Sequence, residues 1–218
     1  MLIIFDLDDT LIDTSGAVTP FKMKACLKKL VELGLPISDF PKAYGELLAV
    51  NAKSLKSRDA IERFAAPFSP TSAQIDEALK ELTTPLPSDF SVPTTPFAKE
   101  ILEYYRSICP LALVTGGHPP FQRDKLKKAG IEVAVFSMIA IPEDSKKKPY
   151  YEAVQRKFSV SPRDVWVCGD RVAMDLAPAH ELGFRTIHMR WGRGTLAGPE
   201  KWIEHTISDL RELKEIIK

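Results

Sequence analysis

The chain holds 218 residues with a net charge of +1, from 30 basic and 29 acidic side chains, and is 44% hydrophobic and 27% charged. That ordinary globular balance excludes long disorder and a fibrous chain, and it offers no overall field to attract nucleic acid or an anionic membrane surface. The expected partner is a small molecule, and three widely spaced cysteines, Cys26, Cys109 and Cys168, with no C-x-x-C pair, favour a reduced cytoplasmic setting over a disulfide framework or a zinc site.

The first element is a short apolar strand, Leu2 to Phe5, that runs directly into Asp6, Asp8 and Asp9. Its apolar run reaches an acid by residue 6 and lacks a basic leader, so it reads as neither a signal peptide nor a membrane span. In an extended chain Asp6 and Asp8 share one side, where one carboxylate attacks and the other handles a proton. Acids packed this closely at a strand end are costly unless a cation or another partner compensates them, and the expectation is a metal site.

Residues 14–93 read as helical. Apolar spacing predicts helices near 18–33, 40–50, 58–66 and 72–82, the first ended by Gly34 and Pro36, and the last opened by a Ser-Pro-Thr-Ser turn. Pro85, Pro87, Pro93 and Pro96 then crowd a segment that returns to the main body. From about residue 97, helices alternate with apolar strands, the pattern of a parallel sheet with crossover helices. The strands are expected at 111–115, 133–138, 165–169 and 186–189, and the helices near 97–106, 121–129, 150–158 and 174–182. The predicted fold is α/β: a parallel sheet flanked by helices, with a run of helices inserted between its first strand and the rest.

Open sheets of this kind bind ligands beyond the carboxyl ends of their strands. Those ends carry Asp6-Leu7-Asp8-Asp9-Thr10, Thr115-Gly116-Gly117, Lys148-Pro149 before a helix, and Gly169-Asp170 through Asp175. Acids suit a hard cation such as Mg²⁺, while a hydroxyl, free amides and an ammonium suit phosphoryl oxygens. The combination points to phosphoryl transfer.

This ordered quartet resembles the motif set of the haloacid dehalogenase superfamily, whose members commonly carry a helical cap between the first and second motifs. The resemblance spans the chain and implies a Rossmann-like α/β core of residues 1–13 and 94–218, an inserted all-helical cap over 14–93, and roles by position. Asp6 is the nucleophile that becomes an aspartyl phosphate, and Asp8 is the acid for the leaving oxygen and then the base for water. Mg²⁺ is held through the Asp6 carboxylate, the Asp8 backbone carbonyl and Asp170, with Asp175 supporting that shell. Thr115, the Gly116 amide and Lys148 hold the phosphate, with Lys147 the alternative lysine, and Asp6 is kept ionised by the cation while Asp8 carries a proton. Asp9 stands where glycine is commoner, Tyr150-Tyr151 where relatives often show Asp-Pro, and Trp191-Gly192-Arg193-Gly194 resembles a loop near the active-site edge.

The function implied is a Mg²⁺-dependent phosphatase of a small phosphorylated metabolite, its cap closing over the site from hinges near Thr14–Gly16 and the Pro-rich return. A sugar phosphomutase shares the motif set. A dehalogenase is disfavoured by Asp8, and a non-catalytic phosphate-binding module is disfavoured by the intact motif residues.

Overall fold

In the computed structural model, which describes all 218 residues, six parallel strands form one sheet in the order β3-β2-β1-β4-β5-β6. They are β1 (Leu2–Phe5), β2 (Leu111–Val114), β3 (Met138–Ala140), β4 (Val165–Gly169), β5 (Arg185–Met189) and β6 (His205–Ile207). β1 lies at the centre because all its residues are apolar and buried, with Ile3 opposite Leu111 on one side and Trp166 on the other. A strand buried on both faces needs no polar alternation. The chain builds outward from β1 to β3, then returns to the far side of β1 for β4 to β6, so the strand order reverses between β1 and β4. A crevice opens at such a reversal, beyond the strand ends, and here the residues that follow are Asp6 and Asp170.

The chain divides into two compact units, Met1–Ser15 with Leu86–Lys218, and Gly16–Pro85. The first contains the sheet and helices α5 (Ala98–Arg106), α6 (Pro119–Lys128), α7 (Lys148–Phe158), α8 (Ala177–Glu181) and α9 (Leu213–Ile216). Its core includes Leu2, Ile4, Val114, Tyr151, Val154, Val167 and Phe184. The second contains α1 (Thr19–Glu32), α2 (Phe40–Ala52), α3 (Ser57–Ala65) and α4 (Ser72–Lys80) around Met23, Leu27, Leu30, Leu47, Ile61 and Leu79. Asp39 caps α2, and Thr71 with Gln74 forms a capping box at α4, satisfying amides that a helix start leaves unpaired. Asn51 and Ser54 of the polar stretch after α2 are buried, and the Ser54 hydroxyl donates to the Val50 carbonyl at 2.8 Å.

The second unit ends at Pro85, and the first resumes at Leu86. The Pro-rich segment is fastened to the first unit: Leu86 N donates to Asp124 at 2.9 Å and Lys128 Nζ to the Ser88 carbonyl at 2.9 Å. The third strand is corrected. Val133–Val135 forms a 3₁₀ turn with Val133 half exposed, and pairing with β2 begins only after Ser137 N donates to the Leu111 carbonyl at 2.8 Å. The helix expected over 174–182 begins as a π turn, Val172–Leu176, before α8. No helix is long and apolar enough to cross a membrane.

Candidate active site

β1 stops at Phe5, and Asp6 N continues the ladder by donating to the Cys168 carbonyl at 3.0 Å. The chain then coils back on itself: Leu11 N and Ile12 N both donate to the Leu7 carbonyl, at 2.9 and 3.1 Å, and Asp9 N donates to the Ile12 carbonyl at 2.8 Å. Strand alternation therefore does not extend to Asp8, and Asp6 and Asp8 send their carboxylates to different partners.

Asp6 joins Asp170 and Asp175 in a buried group whose ligand oxygens all lie within 4.8 Å of one another. Asp175 is delivered by the π turn after β4, and Gly169 makes room for it, since a Cβ there would lie 2.6 Å from the Asp175 Cβ. The one ammonium in contact with this group is Lys147, which donates to Asp6 Oδ1 at 2.5 Å and to Asp175 Oδ1 at 2.6 Å. Asp175 Oδ2 accepts from Arg171 N at 2.9 Å. Burial pushes Asp6 up to about 7, with Lys147 opposing and Asp175 and Asp8 reinforcing the rise. Burial, then Asp175 and Asp6, push Asp170 well above the usual carboxylate range. Three buried carboxylates against one ammonium, all from hard oxygen donors, fit a divalent cation such as Mg²⁺.

Lys148, the lysine favoured from sequence, is not in this group. Its ammonium pairs with Glu181 at 2.7 Å, and both side chains are exposed. The reason is helical geometry. Lys147 stands four residues before Tyr151 and seven before Val154, both buried, so its position continues the inward face of α7 while Lys148 faces out.

Asp8 is held by a second set of partners. Oδ1 accepts from Thr14 Oγ1 at 2.5 Å and from the Lys125 ammonium, and Oδ2 accepts from Gln122 Nε2 at 2.9 Å. Burial alone would raise the Asp8 pKa, but Lys125 with the Thr14 and Gln122 hydrogen bonds brings it below the ordinary carboxylate value. Apart from any cation's charge, burial thus favours a proton on Asp6 below about pH 7, while Lys125 and the hydrogen bonds favour the ionised form of Asp8. Gln122 Nε2 also lies 2.6 Å from Thr115 Oγ1 and 2.9 Å from the Gly116 carbonyl. Thr115 is fixed at the end of β2 by its amide, which donates to the Ala140 carbonyl at 3.1 Å.

Sequence reasoning missed Gln122, Lys125 and Thr14. A signal was available in α6, where Gln122 and Lys125 occupy the same buried face as Leu126, because polar groups placed inward on a helix require partners.

Asp9 fastens a second loop to the first. It adopts a left-handed backbone, φ +56°, and its carboxylate accepts from Ser15 N at 2.7 Å and Ser15 Oγ at 2.5 Å, and from the Arg193 amide. Burial raises the Asp9 pKa against these hydrogen bonds. Gly192 packs directly on that carboxylate with φ +48°, and an added Cβ would overlap it. Gly192→Ala is therefore expected to lower stability by about 2 kcal/mol or more, from backbone strain and overlap. Chemical denaturation checks this, and an unchanged midpoint would contradict the contact. The adjoining Trp191 Nε1 donates to Asp13 at 3.0 Å, a second tie between this loop and the segment after β1.

Comparison with known proteins gives matches along the whole chain. Glyceraldehyde 3-phosphate phosphatase of Methanocaldococcus jannaschii is 26% identical over 234 residues, covering 99% of this chain and 96% of that protein. The Pyrococcus furiosus protein of the same name is 23% identical, covering 100% and 92%. Among solved structures, the HAD-hydrolase YfnB of Bacillus subtilis bound to magnesium superposes with a TM-score of 0.70 at 17% identity, covering 100% of this chain and 98% of that one. A HAD phosphatase of Thermococcus onnurineus gives 0.65 at 20% identity, covering 99% and 97%; at these identities the likeness establishes the fold. The model of the haloacid dehalogenase-like hydrolases matches residues 1–183, and the chain belongs to that family.

Proposed function

We propose that this hydrolase is a Mg²⁺-dependent phosphatase of small phosphorylated metabolites, with a triose phosphate such as glyceraldehyde 3-phosphate as the first substrate to test. The observation that carries this reading is the buried Asp6–Asp170–Asp175 group with Lys147 inside it, at the sheet edge that also bears Asp8 and Thr115. Two full-length relatives named as glyceraldehyde 3-phosphate phosphatases support the choice of substrate.

Asp6, Asp170 and the Asp8 backbone carbonyl would hold the cation, with Asp175 keeping Lys147 and the Arg171 amide in place. When bound, Mg²⁺ supplies the positive charge that keeps Asp6 ionised and offsets the charge on phosphoryl oxygens. Asp6 then attacks phosphorus, forming an aspartyl phosphate as the bond to the substrate oxygen breaks. With the phosphoryl anion bound beside it, which raises its pKa, Asp8 takes up a proton and gives it to that oxygen, then takes one from the water that hydrolyses the acyl phosphate. Thr115 and Lys147 donate to the phosphoryl oxygens, on which charge spreads in a loose transition state. In this role Lys147 takes the place assigned to Lys148.

The reading is tested by a phosphate-release screen over sugar, glycolate, nucleotide and triose phosphates with and without Mg²⁺. Stoichiometric phosphate supports hydrolysis, whereas isomerised hexose phosphate without release would mark a phosphomutase. A second expected result concerns pH. The folded pKa of Asp6 lies above its unfolded value of 3.8, at about 7, so its contribution to stability is greatest below 3.8 and is lost as pH rises through about 7. A cation must displace that proton, so Mg²⁺ is expected to raise the melting temperature more at about pH 8 than at about pH 5. Equal shifts at both pH values would contradict cation binding at Asp6.

A further inference from the structure

We propose that Gln122 and Lys125 of α6 are positioning residues, Gln122 directing the Thr115 hydroxyl toward the phosphoryl group and Lys125 holding the Asp8 carboxylate in its proton-transfer orientation. The assignment rests on the phosphatase reading for the roles of Thr115 and Asp8.

The geometry begins with a cost. Gln122 and Lys125 are only 2% and 4% exposed, three residues apart on one helix face, where leucine or methionine would fill the space without desolvating an amide or an ammonium. Their side-chain hydrogen bonds go only to Asp8, Thr115 and Gly116, all of them residues at the strand ends that form the site.

The amide orientation of Gln122 follows from chemistry. The Asp8 carboxylate and the Gly116 carbonyl can only accept, so the NH₂ end must face them. That same nitrogen cannot accept from Thr115 at 2.6 Å, and its two hydrogens are shared among the three oxygens, so Thr115 Oγ1 can only accept from Gln122. Its own hydrogen is thereby directed elsewhere, available for a phosphoryl oxygen. With an acceptor in place of the NH₂ group, the hydroxyl would turn its hydrogen inward. Gln122 thus links the proton-transfer carboxylate to the phosphate-binding hydroxyl through one side chain.

Lys125 acts on Asp8 alone. Its ammonium touches Oδ1 opposite the Gln122 contact on Oδ2, and Thr14 Oγ1 completes the set at 2.5 Å. The lysine stem is packed so that the ammonium lies 5.3 Å from the Phe121 ring centroid, which restricts its swing. Held at both oxygens, Asp8 cannot rotate freely away from the leaving group.

Two nearly isosteric variants, Gln122→Met and Lys125→Met, separate these roles, with an alkyl phosphate and p-nitrophenyl phosphate as substrates and calorimetric titration of inorganic phosphate in Mg²⁺ buffer as a readout apart from turnover. An alkoxide needs a proton to leave, and nitrophenolate scarcely does. Lys125→Met is expected to lower kcat about a hundredfold on the alkyl ester but about tenfold or less on the aryl ester, with phosphate affinity nearly unchanged. Gln122→Met is expected to weaken phosphate binding about tenfold. Should a methionine variant fail to fold, Lys125→Arg, which keeps the charge, is expected to retain the alkyl-ester rate, and Gln122→Glu, which keeps the shape without the donors, to lose phosphate affinity. Equal losses on both esters for Lys125→Met, or unchanged phosphate affinity for Gln122→Met, would overturn the proposal. No release from either ester by the unmodified chain would count against the phosphatase reading, and the phosphate titration would still decide the role of Gln122.

Discussion

Lys147→Met is expected to lower phosphatase activity by about a hundredfold to a thousandfold, the range for removing one preorganised donor to a charged transition state. The same change leaves Asp6 and Asp175 buried side by side without their ammonium, and breaking a buried ion pair by removing one partner costs about 3–5 kcal/mol. The stability loss should grow as pH rises through about 7, because that is where Asp6 ionises in the folded chain. Lys148→Met is the matched control. Its ammonium meets only Glu181 on an exposed surface, and its loss should leave both activity and melting temperature near those of the unmodified chain. Steady-state kinetics and thermal unfolding of the two variants side by side check this. Equal effects, or a larger effect at Lys148, would contradict the placement of the catalytic lysine.

Asp6→Asn is expected to have the largest effect of all, a loss of about a thousandfold or more in Mg²⁺-dependent phosphate release, because an amide cannot attack phosphorus at a useful rate. The loss should not come from unfolding. Ionised Asp6 is disfavoured by burial and by Asp175 and Asp8, so at about pH 8 a neutral asparagine relieves repulsion, and the variant should melt no lower than the unmodified chain. A stable, folded Asp6→Asn protein with full activity would remove Asp6 from the chemistry.

Much of this arrangement was legible in the order of residues along the chain. An apolar run ending in clustered acids needs compensating positive charge, and the structure places Asp6 at the strand end with Asp170, Asp175 and the Lys147 ammonium. The buried strands β1, β2 and β4 were equally clear, since continuous apolar runs of this length suit the middle of a parallel sheet. The edges were not. β3 is only three residues long and only partly buried at two of them, and β6 is His205-Thr206-Ile207, too short and polar to stand out from a loop.

Within the site, what local pattern leaves open differs from residue to residue. Alternation put Asp8 beside Asp6, but the strand ends at Phe5 and the chain coils, so Asp8 meets Thr14, Gln122 and Lys125 instead. The lysine nearest Pro149 was favoured on motif grounds, although spacing to Tyr151 and Val154 identifies Lys147 as the inward position. Gln122 and Lys125 lie 114 and 117 residues from Asp8, a separation at which no local pattern reveals a partner.

The central claim is that Asp6 takes the phosphoryl group, and the most direct measurement is to trap it there. Asp8→Asn should slow hydrolysis of the acyl phosphate more than its formation from an aryl phosphate, whose leaving group needs little protonation. Acid quench after mixing this variant with radiolabelled p-nitrophenyl phosphate and Mg²⁺, followed by peptide mapping, is expected to place the label on the peptide containing Asp6. Label on another residue, or turnover with no labelled protein at any quench time, would contradict the account.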